Sequence, residues 1–268
     1  MDSRVRNLLY DNPRLYDIVF PDAGETELAM CKTAFSRWLA APPQSAIDFG
    51  CGTAMNLERV ARTVPDCWGV DFLESNVAYA KATRPRLTIR QGDMRTIRIG
   101  RTFDAIMSFG NALSYALTDE DLERTFATFA AHAHAGTLLL FDLLNARCYL
   151  EGDGFKERID GKVDTPEFAA TSVSIHALDR ARRLLIRRRT WHVPGKPDSE
   201  DYSEYRLVYP EEARKLAEGA GFEWLAGYDN REFRESGLTG SIGTAPANAA
   251  SDCAGMHGRK LYGFARKT

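Results

Sequence analysis

Cysteine and histidine are both scarce in this chain, five of each among 268 residues. The cysteines (Cys31, Cys51, Cys67, Cys148, Cys253) are odd in number and widely scattered. They make neither a disulfide framework nor a zinc spacing, so no metal is expected and a reduced, cytoplasmic compartment is the simplest reading. Also missing is any run near the ~18 apolar residues that a membrane helix needs. The opening MDSRVRNLLYDNPRLYD lacks the apolar core of a secretory signal, so no membrane partner is expected. A net charge of -2 gives no global reason to expect a polyanion. What is present, 44% hydrophobic and 27% charged residues, is the balance of an ordinary globular protein, long enough for one large α/β domain or one domain with an insertion.

Residues 25–40 place Leu28, Cys31, Phe35, Trp38 and Leu39 on one helical face, closed by Pro42 and Pro43. Short apolar runs then alternate with helical patterns. Strands are predicted over 45–50, 66–72, 87–94, 102–110 and 136–144. Leu122, Phe126 and Phe129 share a helix face behind the cap candidates at Thr118–Asp121. Strands separated by helices imply right-handed crossovers and a doubly wound, mostly parallel α/β sheet. After residue 150 the alternation becomes β-type without intervening helices, predicting an antiparallel excursion over 164–209. A helix opening on Pro210 and closing at Gly221 follows, then two last strands. The expected organisation is an N-terminal lid and helix (1–44), an α/β core (45–163), the antiparallel insertion on the substrate side or at an oligomer interface (164–209), and the C-terminal part of the core (210–268). The Gly- and Ala-rich stretch near 237–258 is expected to be a flexible loop.

The segment SAIDFGCGTAMNLERVA, residues 45–61, runs a strand through Gly50-Cys51-Gly52 into a helix. A dinucleotide turn, G-x-G-x-x-G, would need a third glycine at Met55, and a phosphate loop would need a lysine. S-adenosylmethionine is the third reading. Its ribose diol, adenine amino group and ammonium call for acids at set places. Asp48 sits inside the first strand, Asp71 ends the second where it can accept both ribose hydroxyls, and Asp93 ends the third, followed by Met94 for the adenine. Ligands of open α/β sheets bind at these carboxyl ends.

The stretches AIDFGCGTAMNL, GVDFLESNVAYAKA, QGDMRTI and FDAIMSFGNALSYA resemble the successive motifs of class I S-adenosylmethionine-dependent methyltransferases. EEARKLAEGAGFEWL and KLYGFARK resemble that family's last helix and its antiparallel final strand pair. The fold this implies is a seven-stranded Rossmann-like sheet. The excursion and the N-terminal LYDNPRLYDIVF are similar to the small-molecule branch, including amino-sugar and glycine N-methyltransferases. By this resemblance Gly50 and Gly52 lie against the methionine portion and Asp48 orients its ammonium. Asp71 with the adjacent Phe72, Asp93 and Met94 hold the nucleoside, and Ser108 and Phe109 contact the cofactor near its sulfur. Cys51 belongs to the cofactor turn as a small packing residue. Tyr10 and Tyr16 would form a lid, Tyr16 on the cofactor and Tyr10 toward the acceptor. Asn111 and Tyr115 would line the acceptor pocket, and Asp142 would be the acid for a substrate amine, with Tyr115 the second catalytic candidate.

The expected reaction is methyl transfer to a small-molecule acceptor, an amine ahead of a hydroxyl. His176 and His192, on the excursion strands, read as surface or interface residues. The arginines of DRARRLLIRRRTW fall on both faces of a strand, and the acidic DSEDYSE that follows can pair with them. A solvated strand is therefore expected ahead of an anionic small substrate or a homodimer interface, and nucleic acid is disfavoured. The rivals are a protein or RNA methyltransferase docking through that insertion, and a cofactor-binding subunit without catalysis.

Overall fold

The computed structural model describes residues 7–233 and 256–268. Cys253 and most of the stretch expected to be a loop near 237–258 lie outside them. Strand β1 (Ser45–Phe49) runs between parallel partners β2 (Asp66–Asp71) and β4 (Phe103–Ser108), so Ala46 to Phe49 are all buried. Its Asp48 is the exception in an otherwise apolar run. β3 (Thr88–Gln91) flanks β2, and β5 (Ala133–Asn145) flanks β4. On the far side of β5 lies β11 (Lys260–Lys267), antiparallel, and then β10 (Phe222–Tyr228). These seven strands follow the order β3-β2-β1-β4-β5-β11-β10, the mostly parallel sheet predicted.

Helices α3 (Glu25–Trp38), α4 (Met55–Val60) and α5 (Glu74–Thr83) cover one face through Leu28, Cys31, Phe35, Leu57 and Val77. Helices α6 (Asp119–Ala131) and α7 (Pro210–Gly219) cover the other through Leu122, Phe126, Phe129 and Ala213. The Thr118 side chain caps α6 by accepting from the Asp121 amide at 3.1 Å. Gly221, at φ +79°, follows α7 with the left-handed conformation that ends helices.

The excursion consists of β6 (Arg158–Asp164), β7 (Ala169–Asp179), β8 (Leu184–His192) and β9 (Ser199–Val208), paired antiparallel in sequence order. Parallel pairs Leu144–Leu207 and Asn145–Val208 tie β9 to the end of β5 and extend the sheet to eleven strands. β6 begins six residues before the expected start. Its RIDGKVD offers only Ile159 and Val163 as apolar alternation, which suits a charged edge strand and hides it from a periodicity reading.

The N-terminal helices α1 (Leu8–Asp11) and α2 (Pro13–Val19) bridge the two parts. Asp17 forms an ion pair at 2.6 Å with Arg84, which follows α5, while the Leu8 amide donates to Asp201 of β9 at 2.7 Å. Leu9 packs with Ala170 and Trp191 beneath. No helix among the described residues is long and apolar enough to cross a membrane.

Candidate active site

Strand order reverses between β1 and β4, and a cleft opens there at the carboxyl ends. Its floor is the glycine turn. Gly50 (φ +79°) donates its amide to the Val70 carbonyl at 2.7 Å, and a Cβ at Gly50 would lie 2.4 Å from that of Ala112. Gly52 (φ +57°) differs, since a Cβ there would meet nothing within 4 Å. It lines the cleft, leaving bare backbone for a ligand. Ala54 is also left-handed, at φ +65°, so the turn keeps a glycine-like backbone at a position that carries a methyl group.

Asp71 ends β2 with both oxygens engaged. Oδ2 accepts from the Gly52 amide at 2.8 Å, and Oδ1 accepts from the Leu73 amide at 2.9 Å and Asn76 at 3.2 Å. Burial raises its carboxyl, and these three donors restrain the rise. One acceptor site remains, on Oδ2, at the cleft that Asp71 lines. Asp93 also lines it and is wrapped by Arg95, whose Nη2 donates to Oδ2 at 2.6 Å. Burial alone would raise the Asp93 carboxyl, but Arg95's hydrogen bonds and charge outweigh it and hold the group below its ordinary value. Phe72, 44% exposed, and Met94 form the nearby apolar wall.

Asp48 lies behind the turn, only 2% exposed, and its Oδ1 is buried without a hydrogen-bond partner. Burial, then the charges of Asp71, Asp142 and Glu27, raise its carboxyl well above the ordinary range. An uncompensated buried carboxylate beside an open cleft calls for a cationic ligand group. The donor set therefore fits a zwitterionic nucleoside ligand: an orphaned acid at one end, an acid with a free acceptor site in the middle, and an aromatic and thioether wall at the other.

Cys51 lines the turn, and burial, followed by Asp71 and Asp48, pushes its thiol well above its ordinary value, which suits a packing role. Tyr10, Tyr16, Phe109 and Tyr115 also line the cleft. The Tyr115 hydroxyl lies 3.2 Å from that of Tyr10 and 3.4 Å from that of Tyr205, and burial raises both Tyr10 and Tyr115. Both are therefore phenols, donors and acceptors rather than bases, at neutral pH.

Four expected site residues sit off the cleft wall, Asp48 behind the turn and three others. Ser108 donates its hydroxyl to the Phe49 carbonyl at 2.8 Å, stitching β4 to β1. Asn111 is left-handed (φ +65°) with its side-chain oxygen buried and unpartnered, while its neighbour Gly110 lines the cleft. Asp142, expected to meet a substrate amine, is fully buried. It accepts from the Gly110 amide at 3.1 Å, the Asn111 amide at 2.7 Å and Lys260 Nζ at 2.7 Å. β11 delivers that lysine, so Asp142 holds the loop after β4 in place, with three of its four acceptor sites taken by the protein.

Sequence reading missed Glu27, Asn76, Arg95 and Lys260. Arg95 stands two residues from Asp93 and Asn76 five from Asp71, spacings that could have flagged them. Nothing local marks Lys260 or Glu27, whose partners lie far along the chain. Among the described residues, no group of three or more His, Cys, Asp or Glu is arranged to hold a metal.

Residues 46–136 match the family model described as a methyltransferase domain. The chain is 29% identical over 134 residues to the dTDP-3-amino-3,4,6-trideoxy-alpha-D-glucopyranose N,N-dimethyltransferase of Streptomyces venezuelae, covering 49% of this chain and 56% of that protein. It is 26% identical over 196 residues to the dTDP-4-amino-2,3,4,6-tetradeoxy-D-glucose N,N-dimethyltransferase of Saccharopolyspora spinosa, covering 70% and 75%. With the first of these the match spans only about half the relative's length. Among solved structures, a S-adenosylmethionine-dependent methyltransferase of Clostridium acetobutylicum superposes with TM-score 0.74 at 13% identity, over 97% of this chain and 99% of that one. The amino pentose methyltransferase of Micromonospora echinaspora, solved with S-adenosylmethionine bound, gives 0.70 at 20% identity with full coverage of both chains. Residues 46–136 thus match a methyltransferase-domain model, in a chain whose fold is that of solved S-adenosylmethionine-dependent methyltransferases.

Proposed function

We propose that this protein is a S-adenosylmethionine-dependent N-methyltransferase acting on the amino group of a small molecule, a nucleotide-linked amino sugar. The observation that carries the cofactor half is Asp48, a buried acid with an unpartnered oxygen beneath a glycine turn, in line with Asp71 and Asp93 at the next two strand ends. The acceptor half is supported by the dTDP-amino-sugar dimethyltransferases that the chain resembles.

The bound cofactor supplies a methyl group on a sulfonium, activated because its leaving thioether is neutral. Asp48 would balance the ammonium, Asp71 would accept from the ribose, and Phe72 and Met94 would flank the adenine, with Asp93 at its edge. Gly52 leaves room for the methionine portion. What remains for the protein is orientation and exclusion of water, which can account for about 7–11 kcal/mol of barrier lowering. Tyr10 and Tyr16, held down by the Asp17–Arg84 and Leu8–Asp201 contacts, close over the cleft. Their buried hydroxyls and that of Tyr115 offer neutral hydrogen bonds that aim an amine without protonating it. Asp142 acts at one remove, fixing Gly110 and Asn111. A homodimer contact, on this reading, falls on the free edge of β6, and light scattering checks it.

Purified protein incubated with S-adenosylmethionine and a thymidine-diphosphate amino sugar should give a product heavier by one or two methyl groups on nitrogen. Methylation confined to hydroxyls, or of protein or RNA alone, would overturn the acceptor assignment.

A further inference from the structure

Of the arginines in DRARRLLIRRRTW, most have evident partners. Arg180 donates to the Leu150 carbonyl, Arg183 pairs with Glu212, and Arg189 pairs with Asp201. Arg182 pairs with Asp179 and Glu204, and the exposed Arg188 lies over the Tyr202 ring. Arg187 is different. It points to the inner face of the insertion with its Nε buried and unpartnered, and no carboxylate among the described residues pairs with it. Its contacts are a 3.2 Å hydrogen bond from Nη2 to the Ser203 hydroxyl and the Tyr205 ring at 5.4 Å. Directly opposite on β7 stands His176, whose Nδ1 is also buried and unpartnered. Burial, then Arg187, lowers the His176 imidazole, so it is neutral.

This pair adjoins the acceptor side of the cleft. Tyr205, over which Arg187 lies, meets the Tyr115 hydroxyl, and Tyr115 and Tyr10 line the cleft. Guanidinium, three phenols and an imidazole thus gather where β7, β8 and β9 face the N-terminal lid. A buried guanidinium without an acid is costly, and hydrogen bonds to charged groups contribute about 1.5–3 kcal/mol each. Arginine's planar fork matches phosphate oxygens two at a time.

We propose that Arg187, with His176 and Ser203, binds a phosphate group of the acceptor, making the insertion's inner face a diphosphate subsite. The subsite rests on the methyltransferase reading above, deepening it by assigning the acceptor's anionic end to specific side chains. The site completes its charge balance only when the acceptor is in place, which favours phosphorylated acceptors over the free amine.

Titration calorimetry on the full chain, saturated with S-adenosylhomocysteine, tests this with three probes: thymidine diphosphate, inorganic pyrophosphate and thymidine. Thymidine diphosphate and pyrophosphate should bind, the former weakening with added salt, and thymidine should bind far less. Arg187→Met should weaken thymidine diphosphate binding by roughly 10- to 100-fold, and Arg187→Lys by less, while S-adenosylhomocysteine affinity stays at the parent's value. His176→Asn, a milder variant on the neighbouring strand, should weaken it in the same direction. Parent-like binding of thymidine diphosphate in folded Arg187→Met, or thymidine binding as tightly as its diphosphate, overturns the subsite. Loss of S-adenosylhomocysteine binding by the parent protein would instead overturn the methyltransferase reading itself.

Discussion

Replacing Asp48 with asparagine should push stability and ligand affinity in opposite directions. Burial and the neighbouring acids raise the Asp48 carboxyl, so the folded protein holds that proton more tightly than the unfolded chain does. The resulting stability is complete below the unfolded value, ~3.9, and is lost as pH rises through the raised folded value. At neutral pH the ligand-free protein therefore carries a penalty. A buried group left unsatisfied costs about 1–3 kcal/mol, more if charged. Asp48→Asn keeps the shape and removes the charge. At ~2–4 °C per kcal/mol for a chain near this size, the ligand-free melting temperature should rise by about 2–12 °C. The same change takes away the partner of the ammonium, a charge-assisted contact of about 1.5–3 kcal/mol, so S-adenosylmethionine affinity should fall roughly 10- to 150-fold. Differential scanning fluorimetry with and without ligand reads both. A variant that melts lower than the parent without ligand, or that binds as tightly, would refute the argument that Asp48 waits for a cation.

Asp142→Ala strands Lys260 and two loop amides, so it should cost about 3–5 kcal/mol of stability by urea unfolding and reduce turnover with it. Turnover lost at parental stability would return Asp142 to the role of acceptor acid. Gly52→Ala should fold, with left-handed strain of about 1–2 kcal/mol, yet bind cofactor roughly tenfold or more weakly by calorimetry. Gly50→Ala meets Ala112 at 2.4 Å and should fail at the folding step, visible as insoluble expression. His132 accepts from the Ile99 amide at 3.0 Å, and its ring faces the Thr128 carbonyl at 2.7 Å. Burial lowers its imidazole, so stability should fall as pH drops below the unfolded value of ~6.5 and toward the folded one, a slope that His132→Asn removes in urea titrations.

The first two strand ends were readable because β1 and β2 are short, mostly apolar runs that meet Gly50 and Asp71, and one residue type at each tip decides the ligand chemistry. Asp48, Asp71 and Asp93 could be placed by counting along the chain. Asp142 could be placed but not interpreted, since its character depends on a lysine 118 residues later, brought alongside only when β11 pairs antiparallel with β5. The arginine cluster posed the same difficulty. Alternation correctly separates Arg187 and Arg189 from Arg188, and the acidic run does supply Asp201 for Arg189. Which inward arginine is left without an acid depends on cross-strand register, and register is a property of the folded sheet. β6 escaped for a simpler reason: a charged edge strand carries almost no hydrophobic period.

The most direct measurement of the central claim is calorimetric titration of the purified protein with S-adenosylmethionine and S-adenosylhomocysteine, beside Asp71→Ala. Saturable binding of both by the parent, sharply weakened in Asp71→Ala, is the predicted result. No heat from either ligand, with melting temperature unmoved, would contradict it.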